Sequence, residues 1–166
     1  MLNKVVYTLA RSFQELGMPA LRFNYRGVGA SAGSYDNGVG ETEDALAVIG
    51  YGQERWPGAA VSLAGFSFGA AVAIRAAARV TPVRLISVAP AVARPESVPA
   101  SRPACPWLIV QGDADEIVDH LQVQAFAARF SPPPRLRILP GVDHFFHGRL
   151  HELHDAVMAF CREETR

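Results

Sequence analysis

The chain reads as an α/β domain with a doubly wound, mostly parallel sheet of about five strands and helices on both faces. Three observations predict this. Short apolar runs alternate with amphipathic or alanine-rich stretches along the whole length, the order that feeds parallel strands through helical crossovers. Polar turns carrying Ser67, Asp113 and Asp115, and His144 each follow one of those runs, and the ends of parallel strands are where such sheets place ligands. No internal repeat and no linker interrupts the 166 residues, so residues 1–166 read as a single domain.

The elements follow in order. Leu2, Val5, Val6, Leu9, Phe13 and Leu16 recur at helical spacing, which predicts an amphipathic helix over 2–16. Gly17 and Pro19 close it. Ala20 to Tyr25 reads as a strand, and a Gly-rich loop runs from Arg26 to about Gly40. A helix over 41–54 buries Ala45, Leu46, Val48 and Ile49, with Thr42 as its cap, and Trp56-Pro57-Gly58 ends it. Residues 60–64 read as a buried strand, 70–78 as a helix and 83–89 as another strand. Proline and alanine make 90–106 an ordered loop rather than a helical cap. A strand at 107–111, a helix at 119–130, a strand at 136–139 and a helix over about 150–163 complete the chain. Asp119 reads as the cap of the helix that follows it.

Composition excludes several classes. Hydrophobic residues make up 49% and charged residues 19%, with a formal net charge of zero. Such a chain has material for a core but no basic patch for nucleic acid and no polybasic stretch for an anionic membrane. No run approaches the roughly 20 apolar residues that span a bilayer, and the N-terminal helix lacks the continuous apolar core of a signal peptide. Two cysteines, Cys105 and Cys161, form neither a disulfide framework nor a metal pattern. Reduced thiols and a cytoplasmic location are the expectation.

The chemistry centres on Gly65-Phe66-Ser67-Phe68-Gly69, between an apolar strand and an alanine-rich helix. Gly-x-Ser-x-Gly in that context is the strand-to-helix turn that exposes a nucleophilic serine. Flanking glycines are expected to avoid collisions with strand and helix. The N–H of Phe68, directly after the serine, is the expected oxyanion donor. Downstream come carboxylates at Asp113 and Asp115, then His144. Serine, acid, histidine is one of three known chain orders for a catalytic triad. His144 suits the base, since an imidazole accepts and returns a proton near neutrality. Phe145 and its neighbours Phe66, Phe68 and Phe146 could supply apolar contact to an acyl or alcohol group, although Phe66 reads better as core.

The run from Leu21 to Ser31, Gly33 to Gly38, Gly40-Glu41, and Val142 to Leu150 together resemble a family of small bacterial α/β-hydrolases with little or no lid. The resemblance covers nearly the whole chain. It implies the α/β-hydrolase fold and a cofactor-free serine hydrolase. Carried over by motif, Ser67 is the nucleophile, His144 the base and Asp115 the acid, being three residues after Gly112. The loop from Asn24 to Ser31, with Arg26 and Gly27, rims the active site in that reading. Members of the family begin with further strands and a His-Pro, Gly-Gly loop before a run like Asn3-Lys4-Val5-Val6. The resemblance therefore implies a fold incomplete at its N-terminal side. It would lack a strand between those of Phe23 and Leu63, and one oxyanion donor.

The expected activity is carboxylesterase-like hydrolysis of small esters through an acyl-enzyme. Thioester or peptide hydrolysis on the same triad is an alternative. Another is an impaired remnant whose open sheet edge favours association with a second copy or a partner. Gly27-Val28-Gly29-Ala30-Ser31-Ala32 also fits a dinucleotide fingerprint, but Gly33 to Gly38 reads as a turn where that fingerprint needs a helix. His144, His147, His151 and His154 crowd one stretch. Without a His-Glu-x-x-His pattern or a Cys partner, solvated imidazoles are expected rather than a metal.

Overall fold

The computed structural model describes residues 3–93 and 101–163. Among the described residues, five helices and four strands follow one another as α1 (Lys4–Glu15), α2 (Val39–Arg55), β1 (Ser62–Phe66), α3 (Phe68–Ala77), β2 (Arg84–Val88), β3 (Trp107–Gly112), α4 (His120–Ala128), β4 (Arg135–Leu139) and α5 (Leu150–Glu163). The strands pair in the order β1-β2-β3-β4, and every pairing is parallel.

Two apolar layers sandwich the sheet. Ile86, Val88, Leu108 and Val110 pack under α1 and α5, whereas Leu85, Trp107 and Ile109 pack under α3 and α4. Alternation of side chains along a strand sends successive residues to opposite layers. Because helices cover both layers, β2 and β3 are buried along their full length, the condition that makes such strands continuously apolar.

One expected strand is absent. Among the described residues, Ala20 to Tyr25 is not paired in the sheet, which has four strands there rather than about five. A strand exists only with a neighbour to share its ladder, and this segment is separated from β1 by a cavity of about 480 Å³ that both line. The helix over 41–54 begins earlier, at Val39, with Gly38 rather than Thr42 as its cap. Of the loop expected over 90–106, residues 94–100 lie outside the described residues.

Helix α1 is capped by Asn3, whose Oδ1 accepts the Val6 N–H at 3.0 Å. It packs against α5, and an ion pair joins the two where His154 Nε2 meets Glu15 Oε2 at 2.9 Å. The hydrogen bond to Glu15 raises the His154 pKa, and the hydrogen bond from His154 lowers that of Glu15. A raised histidine contributes stability that is fully present below its ordinary value and lost as pH rises through the folded value. A lowered carboxylate contributes stability that is lost as pH falls through its folded value. The stability difference between wild type and His154→Gln is therefore expected to be greatest at mildly acidic pH. It should shrink as pH rises from about 6 to 9, measured by urea denaturation across that range. A difference that grows with pH would contradict the pairing.

Candidate active site

The strand-to-helix turn after β1 is sharply strained. Ser67 has φ 53° and ψ −119°, a region that side chains rarely enter and that persists only where the surroundings enforce it. They do so here at Gly65. A Cβ on Gly65 would sit 2.2 Å from Gly69 O and 2.7 Å from Ala70 Cα. Only glycine lets the helix return so closely over the strand. At Gly69 the expectation of a collision is not met, since a Cβ would lie 3.6 Å from Tyr25 Oη, an ordinary contact.

The turn is tied to its neighbour strand. Ser67 N–H donates to Val88 O at 2.8 Å, and Ala91 N–H donates to Ser67 O at 3.2 Å. Ala89, between them, holds a positive φ of 44° and is fully buried. The Ser67 side chain stands half-buried at the N-terminus of α3. Among the described residues, the backbone N–H of Phe68 has no acceptor, as expected of a first-turn donor. It is free to meet an anion beside Ser67, where the helix dipole favours negative charge.

Asp115 and His144 meet next to Phe66, the residue before Ser67. His144 Nδ1 lies 2.8 Å from Asp115 Oδ2, and their side chains are 3% and 1% exposed. Asp115 is fully engaged. Its Oδ1 accepts the N–H groups of Ile117 at 2.9 Å and Val118 at 2.7 Å, and its Oδ2 also accepts Gln111 Nε2 at 3.0 Å. Glu116 Oε2 accepts the His144 N–H at 3.3 Å. The imidazole stacks beside Phe66, the residue before Ser67, with ring centroids 4.8 Å apart. Phe145 closes edge-on at 5.0 Å and stays 42% exposed. Nδ1 faces the carboxylate, and Nε2 is the ring nitrogen that Asp115 leaves unengaged.

Asp113 does other work. Its Oδ1 accepts the Gly141 N–H at 2.6 Å, so it bridges the turn after β3 to the turn after β4. Gly112 lets those turns touch, since a Cβ there would lie 2.0 Å from Val142 O. Asp119 caps α4 through the Leu121 N–H at 2.9 Å.

Arg26 and Gly27 lie on the loop facing α2. The Arg26 guanidinium is engaged with Asp44, Nη2 to Oδ1 at 2.8 Å and Nε to Oδ1 at 3.1 Å. That contact lowers the Asp44 pKa. Arg26 thus anchors its loop to α2. Gly27 has φ 71°, and its N–H donates to Ala32 O at 3.1 Å. No helix opens at this loop, since α2 begins only at Val39, so the dinucleotide fingerprint has no phosphate-binding terminus. Of the crowded histidines, His147 pairs with Asp143 at 2.7 Å and His154 with Glu15.

Three positions escaped the sequence reading. Gln111 braces Asp115 from β3, where it reads as part of an apolar strand. Glu116 and Glu41 look like solvated carboxylates. Glu41 is instead 1% exposed, and its oxygens accept the N–H groups of Asp36 and Gly38, each at 2.8 Å. It therefore fixes the loop that leads into α2. A charge three residues into a helix with glycine before it was the available signal.

The sequence matches the model of the family described as Serine aminopeptidase, S33, over residues 3–104. The chain belongs to this family. It is 36% identical to the uncharacterized protein RP471 of Rickettsia prowazekii, over 93% of this chain and 69% of that protein. Among solved structures, it is similar to an alpha-beta serine hydrolase homologue from Coxiella burnetii, with 48% identity and a TM-score of 0.91, covering 96% of this chain and 76% of that one. It is also similar to a Xanthomonas campestris member of the a/b serine hydrolases without lid. That identity is 45% and the TM-score 0.93, covering 98% of this chain and 74% of that one. The fold is that of the α/β serine hydrolases. Among the described residues, no helix is long and apolar enough to cross a membrane.

Replacing Glu41 by alanine is expected to leave the buried Gly38 N–H and the more exposed Asp36 N–H without their partners. Unfolding free energy should fall by about 1–3 kcal/mol, read from the urea midpoint, with faster proteolysis between Arg26 and Gly38. An unchanged midpoint would contradict the role of Glu41.

Proposed function

We propose that this hydrolase is a serine acyl hydrolase that cleaves small esters through an acyl-enzyme on Ser67, His144 and Asp115. The single observation that carries the reading is the buried 2.8 Å contact between His144 Nδ1 and Asp115 Oδ2, set beside a strained serine at a helix N-terminus. His144 Nε2 takes the Ser67 hydroxyl proton as Oγ attacks the substrate carbonyl. Negative charge develops on the carbonyl oxygen, which the Phe68 N–H meets. As the tetrahedral adduct collapses, the imidazolium returns the proton to the departing alkoxide, and an alcohol leaves. Water then gives its proton to His144 and attacks the acyl group, and the acid leaves with Ser67 regenerated. Asp115 keeps Nδ1 protonated and stabilises the imidazolium at each stage.

Phe145, exposed beside the imidazole, supports contact with an apolar acyl or alcohol group. The chain carries no long insertion between Ala89 and Cys105, which supports small, freely diffusing substrates. The family's description as serine aminopeptidases favours amide cleavage as a second reading on the same residues. There the imidazolium would have to protonate a poorer leaving group, an amine.

A fluorophosphonate probe tests the reading. A stoichiometric adduct on Ser67, mapped by mass spectrometry and lost in Ser67→Ala and His144→Ala, is expected; a folded protein without an adduct would contradict it. Rates on p-nitrophenyl acetate and on an aminoacyl p-nitroanilide separate ester from amide cleavage. Asp115→Asn is expected to lower kcat by about 10⁴-fold, whereas Asp113→Asn should stay within a fewfold of wild type. The reverse order would move the acid to Asp113.

A further inference from the structure

Gln111 breaks the pattern of its own strand. Trp107 to Val110 are apolar and buried, and Gln111 follows them at 0% exposed. Alternation along β3 carries its amide into the same layer as Trp107 and Ile109. Its Nε2 meets three acceptors, all from the turn that leaves β3. They are Gly112 O at 3.0 Å, Asp115 Oδ2 at 3.0 Å and Val118 O at 3.1 Å. The amide has one workable orientation, because the reverse would set its oxygen against three other oxygens. Among the described residues, its Oε1 is buried without a hydrogen-bond partner, which is destabilising. An aliphatic side chain would continue the apolar run without that orphaned oxygen, so packing alone does not account for an amide here.

The way Asp115 is held does account for it. Oδ1 accepts the N–H groups of Ile117 and Val118, which belong to the same turn as Asp115 and move with it. Oδ2 faces His144 Nδ1 at 2.8 Å and Gln111 Nε2 at 3.0 Å. Gln111 therefore ties the carboxylate to the sheet itself, where β3 lies between β2 and β4. An amide nitrogen carries two protons, and three acceptors share them. The bond to Oδ2 is partial, and it strengthens or weakens with the charge on that oxygen.

Among the described residues, Asp115 is the ion-pair partner of the imidazole. Glu116, on the same turn, reaches only the backbone N–H of His144. Asp143 and His147, on the loop of His144, pair with each other. Phe66 of β1 and Phe145 pack on the ring. The negative charge that an imidazolium meets at Nδ1 is that of Asp115, delivered through Oδ2.

We propose that Gln111 is a positioning residue that sets the strength of the base: its amide shares Asp115 Oδ2 with the His144 imidazole and limits how strongly that oxygen holds the imidazolium. This rests on the reading of His144 as the base. A hydrogen bond to a carboxylate stabilises its charged form, so the amide keeps Asp115 ionised. The same bond leaves Oδ2 a weaker acceptor for the Nδ1 proton than an undivided oxygen. When His144 takes the Ser67 proton, its positive charge competes with the amide for Oδ2. When His144 gives that proton to the departing group, the amide regains its share. The ring is then basic enough to take the hydroxyl proton and acidic enough to return it, the balance that general acid–base catalysis needs.

The test uses the full chain with ¹⁵N-labelled glutamine and histidine, followed by NMR against pH. In the wild type, an Nε2 proton of Gln111 is expected to exchange slowly. It should move upfield over the same pH range in which the His144 ring gains its proton. In Gln111→Met, which keeps the length and loses the donor, the Nδ1 proton of His144 should move further downfield. The acidic limb of fluorophosphonate labelling at Ser67 should move to higher pH by about half a unit or more. A merely structural loss would lower the labelling rate at every pH and leave the limb in place. The proposal is overturned if the Gln111 protons ignore the protonation of His144. It is also overturned if, in folded Gln111→Met, the Nδ1 proton and the acidic limb keep their wild-type positions or move the other way. Should that variant not fold, the wild-type titration decides alone. A wild type that takes up no probe would contradict the hydrolase reading, whereas the resonances of Gln111 and His144 decide this one without turnover.

Discussion

The parallel register of the four strands is the constraint from which the site follows. Phe66 pairs with Val88, Val88 with Val110, and Gly112 with Leu139, so all four strands end at one level. The turns that leave them carry Ser67, Ala89, Asp115 and His144. Residues far apart in sequence need no connection of their own once the ladder has set their heights. Two close approaches hold the turns in place. α3 returns over Gly65, and the turn after β4 lies against Gly112. Neither position tolerates a Cβ without displacing backbone.

Within that frame the Asp115–His144 contact is enclosed rather than solvated, and a buried carboxylate is tenable only when its lone pairs are used. Asp115 meets that condition through two backbone donors, the Gln111 amide and the imidazole. The result is an imidazole fixed on one edge by Asp115 and packed against Phe66, the residue before Ser67. Among the described residues β1 is the edge of the sheet, with Ala64 exposed at its middle.

Much of this was legible in the sequence because it depends on local chemistry. Short apolar runs bounded by turns marked all four strands, and Gly65 to Gly69 marked the strained serine before any coordinates. What escaped depends on contacts distant in sequence. Ala20 to Tyr25 has the composition of a strand, but composition does not reveal whether a partner lies alongside. Asp113 and Asp115 follow the same strand two residues apart, and only the path of the turn sends one to Gly141 and the other to His144. Arg26 reads as part of the rim of the site until α2 brings Asp44 to its guanidinium. Gln111 hides within an apolar run because a single buried amide barely changes its pattern.

The central claim is that Asp115 holds the His144 imidazole with its proton on Nδ1 and Nε2 free to act as base. ¹⁵N-histidine NMR of the resting protein tests this most directly. The account predicts a slowly exchanging, low-field Nδ1 proton that disappears in Asp115→Asn. A ring protonated on Nε2, or an Nδ1 proton unaffected by that substitution, would contradict it.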